Sequence, residues 1–258
     1  MPSLADFVSD IVNSRVRVID LTHTLSPEFP TIVLPPQFGQ CAPIRIEEIS
    51  RYDERGANHY WNNFSCGEHS GTHFDAPIHW ISGKDLPNNS VDTIEVTNFI
   101  AAACVIDCSR EAAGDEDFLL TVPRIEEWER AHGRIPPRNW VLFRTDWGKR
   151  RQGAAFANRR DDGPHTPGPS PEAVRFLVDQ RDAHGFGVET INTDAGQSRK
   201  FTPPNPAHFY MHGKGRFGLQ CLCNLDQLPP TGAVIIAAPL KIKTGSGSPL
   251  RVLALVQS

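Results

Sequence analysis

The sequence predicts an α/β fold with a mixed sheet, and three observations support this prediction. The chain has 258 residues, of which 39% are hydrophobic, and this is enough to bury a sizeable core. Short apolar runs that are typical of strands alternate with a few segments of helical periodicity. No linker, internal repeat or heptad run divides the chain, so we expect one domain over residues 1–258.

Helix signals are found in three segments. Each has apolar residues three and four positions apart, and a capping Ser or a Pro near its start. Two of the three also have a Gly at the expected end, where a left-handed backbone stops a helix. The predicted helices are residues 4–12, 122–133 and 170–185.

Apolar runs bounded by polar residues predict the strands. The run 99–109 is apolar almost throughout, as expected of a strand that is buried on both faces. Residues 148–170, which are rich in Arg, Asp, Gly and Pro, predict a long exposed loop. The predicted strands are 16–22, 44–49 (one arm of a hairpin), 99–109, 139–147, 186–194, 233–242 and 250–256.

The segment HSGTHFDAPIH, residues 69–79, has an unusual concentration of metal-binding side chains. In an extended backbone alternate residues face the same side, so His69, His73 and Asp75 would project together. A helix would also pair the two histidines, but it would turn Asp75 away, and a Gly and a Pro in the segment disfavour a helix interior. We therefore predict a strand that ends near Pro77.

Two imidazoles and a carboxylate are typical ligands of Zn²⁺ or Mn²⁺. Three protein ligands leave positions open for water and substrate, which is typical of a catalytic site. A bound cation lowers the pKa of water from about 16 towards roughly 7. His79, beyond the ligand set, is then the candidate general base. The alternatives are solvated loop histidines, or a His-rich surface segment that binds metal adventitiously.

Composition disfavours several functional classes. The formal net charge is −4, whereas a protein that binds the nucleic-acid backbone is usually basic. No apolar run reaches the roughly 18–20 residues that a membrane span needs, and the N-terminus has acids where a signal peptide has bases. We therefore expect a cytoplasmic protein with no nucleic-acid or membrane partner.

The six cysteines do not form the pattern of a disulfide framework in a chain of this length. Two close pairs lie in apolar runs, and we expect them to be reduced, buried packing residues: Cys104 with Cys108, and Cys221 with Cys223. The chain has no G-x-S-x-G motif, and Cys66 has no evident low-pKa environment, so nucleophilic hydrolysis by Ser or Cys is disfavoured.

The run from His69 to His79 resembles the signature HxGTHxDxPxH of the cyclase superfamily of metal-dependent hydrolases. This group includes bacterial kynurenine formamidase and isatin hydrolase. Residues 18–30 (VIDLTHTLSPEFP) are similar to the family's opening strand and turn, and residues 208–255 to its closing region, so the resemblance spans nearly the whole chain. It implies a swivelling β/β/α fold and a homodimer or homotetramer whose active site borrows residues from a neighbour.

The resemblance also implies roles for individual residues. His69, His73 and Asp75 match the metal ligands of the family, and His79 matches its proton-shuttling histidine. In the formamidase branch a His and, twelve residues later, a Glu complete a two-metal site.

Here His208 matches that His, but position 220 is Gln, and a neutral amide bridges two cations poorly. The isatin hydrolase branch is similar to this chain in having Gln at this position, with one Mn²⁺. We therefore expect one divalent cation per chain, held by the three ligands above and Gln220, with Mn²⁺ favoured and Zn²⁺ as the alternative. His208 and His212 become candidates for contact with the metal's ligands or with the substrate, and His212 could instead be an ordinary loop histidine.

Aromatic residues flank the metal segment: Tyr60, Trp61 and Phe64 precede it, and Trp80 follows it. Such side chains would stack on a flat substrate and exclude water, although all four could instead be core residues. Together with Gln220 they favour a bicyclic aryl lactam, and we expect hydrolysis of its C–N amide bond, as in the opening of isatin to isatinate.

Three other functions stay open at this point. They are an arylformamidase that acts on N-formylkynurenine, a lactone or ester hydrolase that uses the same site, and a metal-binding scaffold without turnover. Two further polar residues have two interpretations each. Asp194 follows a predicted strand, where α/β sites gather, but it also fits a turn. Arg251 could bind a substrate carboxylate or form a buried ion pair.

Overall fold

The structure is a computed structural model that describes residues 3–150 and 153–258. The helices, numbered in chain order, are α1 (Leu4–Val12), α2 (Ser109–Gly114), α3 (Val122–His132), α4 (Ala154–Ala157) and α5 (Pro171–Asp179). The strands are β1 (Val16–Asp20), β2 (Arg45–Arg51), β3 (Tyr60–Ser65), β4 (His73–Asp75), β5 (Ile100–Asp107), β6 (Leu119–Leu120), β7 (Trp140–Arg144), β8 (Arg159–Arg160), β9 (Gly163–Pro164), β10 (Gly168–Pro169), β11 (Gly185–Val188), β12 (Phe217–Gln220), β13 (Thr231–Ile236), β14 (Gly247–Pro249) and β15 (Leu253–Gln257).

The main sheet has nine strands in the order β1-β15-β13-β5-β7-β11-β12-β4-β14. Its four central strands, β5, β7, β11 and β12, run parallel to one another. Antiparallel strands extend the sheet on both sides of this centre. The predicted mixed α/β fold is thereby confirmed.

The core lies on both faces of the sheet because successive strand residues point to opposite sides. Along β7, Trp140 and Leu142 join one cluster of buried apolar side chains. Val141 and Phe143 join the other, which also contains residues of α3 and α5. All four are at most 1% exposed, and burying a side chain of this size contributes about 1.5–3 kcal/mol.

Two of the three predicted helices have the expected bounds. In α1 the Ser3 hydroxyl accepts a hydrogen bond from the Asp6 backbone amide at 3.1 Å, and the Asp6 carboxylate accepts one from the Ser3 backbone amide. This reciprocal pair is a capping box. Helix α3 ends before Gly133, whose φ of 89° is a conformation that suits glycine.

The prediction of a helix over 170–185 is wrong at its C-terminal end, because α5 stops at Asp179. The chain turns at Asp182, which has φ 49°. The His184 amide then donates to the Asn139 carbonyl, and β11 begins at Gly185 beside β7. Sheet pairing therefore takes residues that helical periodicity assigned to the helix.

The loop predicted over 148–170 is more ordered and more buried than expected. It contains α4 and the short strands β8, β9 and β10, and residues 165–170 are buried. Residues 151 and 152 of this prediction lie outside the described residues. The strand predicted over 186–194 is also shorter, since β11 ends at Val188 and the remainder forms a loop that reaches the candidate site described below.

The predicted hairpin arm is confirmed: β2 pairs antiparallel with β3. All six cysteines lie within the described residues and are free. Of the four cysteines in the two close sequence pairs, Cys104, Cys108 and Cys221 are buried as predicted, whereas Cys223 is only partly buried. None of the helices in residues 3–150 and 153–258 has the length and apolar character that a membrane crossing requires.

Candidate metal centre and active site

Strand β4 carries the centre of the site and lies between two other strands of the main sheet, β12 and β14. Antiparallel register places Gln220 of β12 directly opposite His73. Asp75 has a glycine opposite it on each side, Gly218 on β12 and Gly247 on β14. A Cβ on Gly247 would come within 2.5 Å of the His69 ring, so glycine is needed there for the ring to fit.

The chain before β4 is bent, and this corrects the prediction of one continuous strand through residues 69–77. Gly71 has φ +61°, a left-handed conformation that glycine adopts without strain, and the strand itself covers only residues 73–75. After it, Pro77–His79 form a single 3₁₀ turn. The bend still returns His69 to Asp75, with His69 Nδ1 at 2.7 Å from Asp75 Oδ1.

Asp75 is the hub of the site and is 1% exposed. Besides His69, its Oδ1 faces His73 Nε2 at 3.5 Å. Its Oδ2 accepts a hydrogen bond from the Gln220 amide and faces His208 Nε2 at 3.6 Å and His212 Nε2 at 3.9 Å. One carboxylate thus joins side chains from three separate segments of the chain.

His79 completes the ring of imidazoles from the 3₁₀ turn. Its ring centroid lies 3.9 Å from that of His69 and 5.4 Å from that of His208. One nitrogen of His79 and one of His69 lie within 4.8 Å of each other and of an Asp75 oxygen. The predicted general base is therefore beside the predicted ligands.

Three histidines have their Nδ1 atom occupied by a partner behind the ring. His73 Nδ1 lies 2.8 Å from the Gly71 carbonyl, and His212 Nδ1 lies 3.0 Å from the Arg216 carbonyl. A carbonyl only accepts, so in both rings Nδ1 carries the proton and the Nε2 lone pair faces Asp75. This arrangement is the one found behind histidines that bind metals.

His208 is held in the same way by a carboxylate, that of Asp194, at 2.5 Å from Nδ1. Asp194 is fully buried and also accepts the backbone amides of Ala207 and His208. His208 and His212 both belong to a single π-helical turn, residues 208–212, which directs the two rings to the same side.

Burial and mutual proximity keep most of these rings neutral. Burial lowers the pKa of His73 to about 4, that of His79 to about 2 and that of His212 to about 3. For His208, burial also acts to lower the pKa, but the hydrogen bond to Asp194 and the negative charges of Asp194 and Asp75 together outweigh it, and the pKa is raised.

The carboxyl group of Asp75 stays ionised. Burial alone would raise its pKa, but the imidazoles of His79 and His69 lower it, and the result lies well below its ordinary value. The site therefore combines one buried anion with several neutral nitrogen donors.

The residues present fit a divalent cation. His69, His73 and Asp75 offer two nitrogens and an oxygen, which is a donor set for Mn²⁺ or Zn²⁺. Gln220 Oε1 is buried, and among the residues that the structure describes it has no hydrogen-bond partner. A buried amide oxygen without a partner is costly, and a cation at Asp75 would provide one.

The predicted substrate residues fall into two sets. Trp80 and the two later histidines lie at the centre: the Trp80 ring is 4.7 Å from that of His208, and His212 is fully buried. Tyr60, Trp61 and Phe64 lie instead on the hairpin strand β3 and are 43%, 53% and 63% exposed. The alternative that these three are core residues is wrong, and their contact with a substrate stays a prediction.

Of three polar residues that support the site, the sequence left Asp194 between two interpretations and gave no indication of Glu68 and Ser246. Asp194 carried a signal, its place after a strand, but the alternative of a turn was equally compatible with it. Ser246 bonds to His69, 177 residues away along the chain, and to Glu68, 178 residues away, and contacts over such separations leave no local signal. Arg251, by contrast, forms an exposed ion pair with Asp20 at the sheet edge. This is neither of the two roles considered for it, a contact with a substrate carboxylate and a buried ion pair.

Comparisons with known proteins place the chain in a family. The model of the Cyclase family, described as "Putative cyclase", matches residues 19–195. The chain is 48% identical over 256 residues to an isatin hydrolase of Roseibium aggregatum, a match that covers 98% of this chain and 97% of that one.

Two solved structures are similar over the full length of both chains. One is isatin hydrolase A from Labrenzia aggregata bound to benzyl benzoate, with a TM-score of 0.98 and 61% identity. The other is an isatin hydrolase bound to the product analogue thioisatinate, with a TM-score of 0.98 and 47% identity.

Proposed function

The chain belongs to the Cyclase family, and from this premise we propose that it is a metal-dependent amidohydrolase that opens the lactam ring of isatin to give isatinate. The observation that carries the proposal is the similarity to isatin hydrolases over nearly the whole chain. The convergence of His69, His73, Asp75 and Gln220 on one point supports the metal dependence.

We propose that these four side chains hold one cation, with Mn²⁺ favoured over Zn²⁺. A bound divalent cation supplies Lewis acidity, which lowers the pKa of water and polarises the carbonyl that is attacked. Asp75 offsets part of the cation's charge, and the Gln220 amide oxygen completes the set without adding a second negative charge.

The reaction needs one proton to be moved from water to nitrogen. Water oxygen adds to the lactam carbonyl carbon, the C–N bond breaks, and the nitrogen leaves as an aniline amine once it has received a proton. Burial lowers the pKa of His79, so its ring is neutral and offers a nitrogen lone pair to the proton of water. The protonated ring then returns the proton to the leaving nitrogen.

Trp80 and His208 are proposed to bind the aryl dicarbonyl. The Trp80 ring is partly exposed beside the centre, and such a face suits stacking on a flat bicyclic ring. The raised pKa of His208 keeps its ring protonated over a wider pH range, so Nε2 can donate to a substrate carbonyl. Asp194 holds the ring in that orientation.

The exposed hairpin aromatics fit a role between two copies of the chain. Tyr60, Trp61 and Phe64 lie together on β3 with a large fraction of each side chain in solvent. We propose that the chain forms a homodimer or homotetramer in which this hairpin covers the substrate of a neighbour. The predicted cytoplasmic location likewise stays a prediction.

A substrate comparison tests the proposed function. The chelated, metal-free protein and the protein reloaded with Mn²⁺ would be assayed with isatin, N-formylkynurenine and a dienelactone, by ultraviolet absorbance. We expect isatin to be hydrolysed fastest, and only after reloading. A preference for the formamide or the lactone would replace the lactam proposal, and metal binding without turnover of any substrate would favour the scaffold function.

Metal stoichiometry tests the role of Gln220. Elemental analysis should give close to one cation per chain for the native protein. In Gln220→Glu a second carboxylate would face Asp75, His208 and His212, and we expect a second cation to bind. Two cations per chain in the native protein would refute the single-metal proposal.

A further inference from the structure

A chain of hydrogen bonds leads from His69 away from Asp75. His69 Nε2 lies 2.9 Å from Ser246 Oγ, and Ser246 Oγ lies 2.6 Å from Glu68 Oε2. The same Glu68 oxygen is 3.0 Å from the Ser246 backbone nitrogen. We infer that Glu68 and Ser246 fix the tautomer of His69, so that this ring binds the cation through Nδ1. The inference deepens the proposed metal-dependent function and rests on it.

The direction of each hydrogen bond follows from what the groups can donate. The Ser246 backbone N–H can only donate, so Glu68 Oε2 is an acceptor. The Ser246 hydroxyl has one proton, and at 2.6 Å from a carboxylate oxygen that proton lies between the two atoms. The hydroxyl oxygen can then only accept a hydrogen bond from His69. His69 Nε2 must therefore carry a proton and donate it to Ser246 Oγ.

The opposite tautomer is disfavoured by the same contacts. If His69 carried its proton on Nδ1, Ser246 would have to donate its hydroxyl proton to Nε2. Its oxygen would then face the Glu68 oxygen at 2.6 Å with no proton between them. Two acceptors at this separation repel, and the repulsion would act in a partly buried place where water screens it poorly.

The consequence lies at the other side of the ring. With Nε2 protonated, the Nδ1 lone pair points at Asp75 Oδ1, 2.7 Å away, and Asp75 is ionised. A lone pair that faces an anion needs a positive charge between them, and a divalent cation meets that need. His73 differs, since the Gly71 carbonyl takes its Nδ1 proton and leaves Nε2 as its donor.

The partners of His69 are themselves held in place by the sheet. Ser246 directly precedes β14, and its carbonyl accepts the Ala76 amide at 2.9 Å, next to the end of β4. Glycines on both sides of Ser246 let the chain pass close to Glu68 and to the His69 ring. Glu68 and Ser246 are therefore positioning residues that act through His69.

The test uses Ser246→Ala, with Ser248→Ala as a matched control. Ser248 is buried in β14, and its hydroxyl accepts a hydrogen bond from the Leu240 amide and donates one to the Pro249 carbonyl; among the described residues it has no hydrogen bond to a histidine. Protein with ¹⁵N-labelled histidine would be studied by NMR in the Zn²⁺-loaded form, which is diamagnetic, with the His69 signals identified by their loss in His69→Gln. The Kd for Mn²⁺ would be measured by calorimetry for each variant.

We expect the Zn²⁺-loaded native protein to show His69 with a proton on Nε2 and none on Nδ1, because the cation then lies between Nδ1 and Asp75. Ser246→Ala should have a Kd for Mn²⁺ raised about 10–100-fold, whereas Ser248→Ala should match the native protein. Ser246→Thr, which keeps the hydroxyl, should restore the native Kd and exclude a folding defect as the cause.

Protonation of His69 at Nδ1 in the Zn²⁺-loaded native protein, or an unchanged Kd in Ser246→Ala, would overturn the inference. These readouts do not depend on turnover. Tight Mn²⁺ binding with the expected tautomer but no hydrolysis of isatin would therefore refute the lactam substrate and still support the positioning roles of Glu68 and Ser246.

Discussion

The Asp75 centre and the cluster around His165 both pair imidazole with carboxylate, but in opposite proportions. At Asp75, five imidazoles surround one buried carboxylate, and burial lowers the pKa of His73, His79 and His212. His165 instead lies between two carboxylates, those of Asp117 at 2.6 Å and Asp162 at 2.9 Å, and these hydrogen bonds raise its pKa.

The difference explains why only one of the two regions is suited to a metal ion. His165 becomes an imidazolium and supplies the positive charge of its own cluster, whose carboxylates are about half exposed to water. The Asp75 centre keeps His73, His79 and His212 neutral and its carboxylate ionised, so it offers lone pairs and a negative charge to a cation from outside the chain. The ratio of imidazoles to carboxylates, and the access of both to water, decide whether a cluster forms a salt bridge, as at His165, or a cation site, as at Asp75.

The largest expected effect is that of Asp75→Asn, which removes the only carboxylate that all the donors of the centre share. We expect Mn²⁺ binding to be lost and kcat/KM for isatin to fall by at least about 10⁴-fold, because an amide neither offsets the cation's charge nor binds it well. Calorimetry and the ultraviolet assay would measure this. Retention of one tightly bound cation per chain would show that the centre is not built around Asp75.

His79→Ala separates proton transfer from metal binding. We expect kcat to fall roughly 10²–10⁴-fold while elemental analysis still finds one cation per chain, since His79 is proposed to move a proton rather than to hold the metal. Full turnover in this variant would contradict its role as the base. Loss of the metal would instead make His79 a ligand.

Asp194→Asn tests whether a carboxylate behind a ring matters at the centre as it does at His165. The amide would still accept from the Ala207 backbone, but it would no longer hold the His208 ring with a charge-assisted bond. We expect a loss of about 10–100-fold in kcat/KM with most of the thermal stability kept. The variant and native proteins would be compared by the isatin assay and by thermal unfolding, and equal activity would remove His208 from the site.

The smallest effect is expected at His165, where the charge pair acts on stability and not on catalysis. Because its folded-state pKa is raised, the folded chain binds more protons than the unfolded chain, and stability falls as pH rises. The gain over His165→Gln should be complete below about pH 6.5 and disappear as pH passes the raised pKa.

Since the carboxylates of this cluster are about half exposed, we expect a gain of at most about 1 kcal/mol. Urea unfolding of the metal-free native protein and of His165→Gln at pH 6 and pH 9 would measure it. An equal difference at the two pH values, or a larger one at pH 9, would contradict the assignment of His165 as an imidazolium.

Much of the site could be predicted because its key residues are close in sequence. His69, His73, Asp75 and His79 fall within eleven residues, and their chemistry identifies a metal segment without knowledge of the fold. Gln220 was reached through the family resemblance, and the register of β12 against β4 now gives it a physical place opposite His73. The backbone between the ligands was not predicted, because the left-handed bend at Gly71 breaks the alternation on which the prediction relied.

The elements of the fold show the same division. Ser3 marks the start of α1 through local hydrogen bonds, and Gly133 marks the end of α3 through its backbone preference. Both bounds lie where the sequence predicts them. The end of α5 was predicted wrongly because pairing of β11 with β7, which involves residues more than forty positions apart, outweighs helical periodicity around His184.

By itself, the sequence determined the chemistry of this protein: a short segment of imidazoles and a carboxylate, carried by an α/β chain with a modest negative charge. Only the tertiary structure decided which atoms of those side chains meet. Ser246 and Asp194 set ring orientations from distant segments, and such contacts leave no trace in local spacing. Hydrogen bonds between remote residues depend on how the sheet brings strands together, and that is a property of the folded chain.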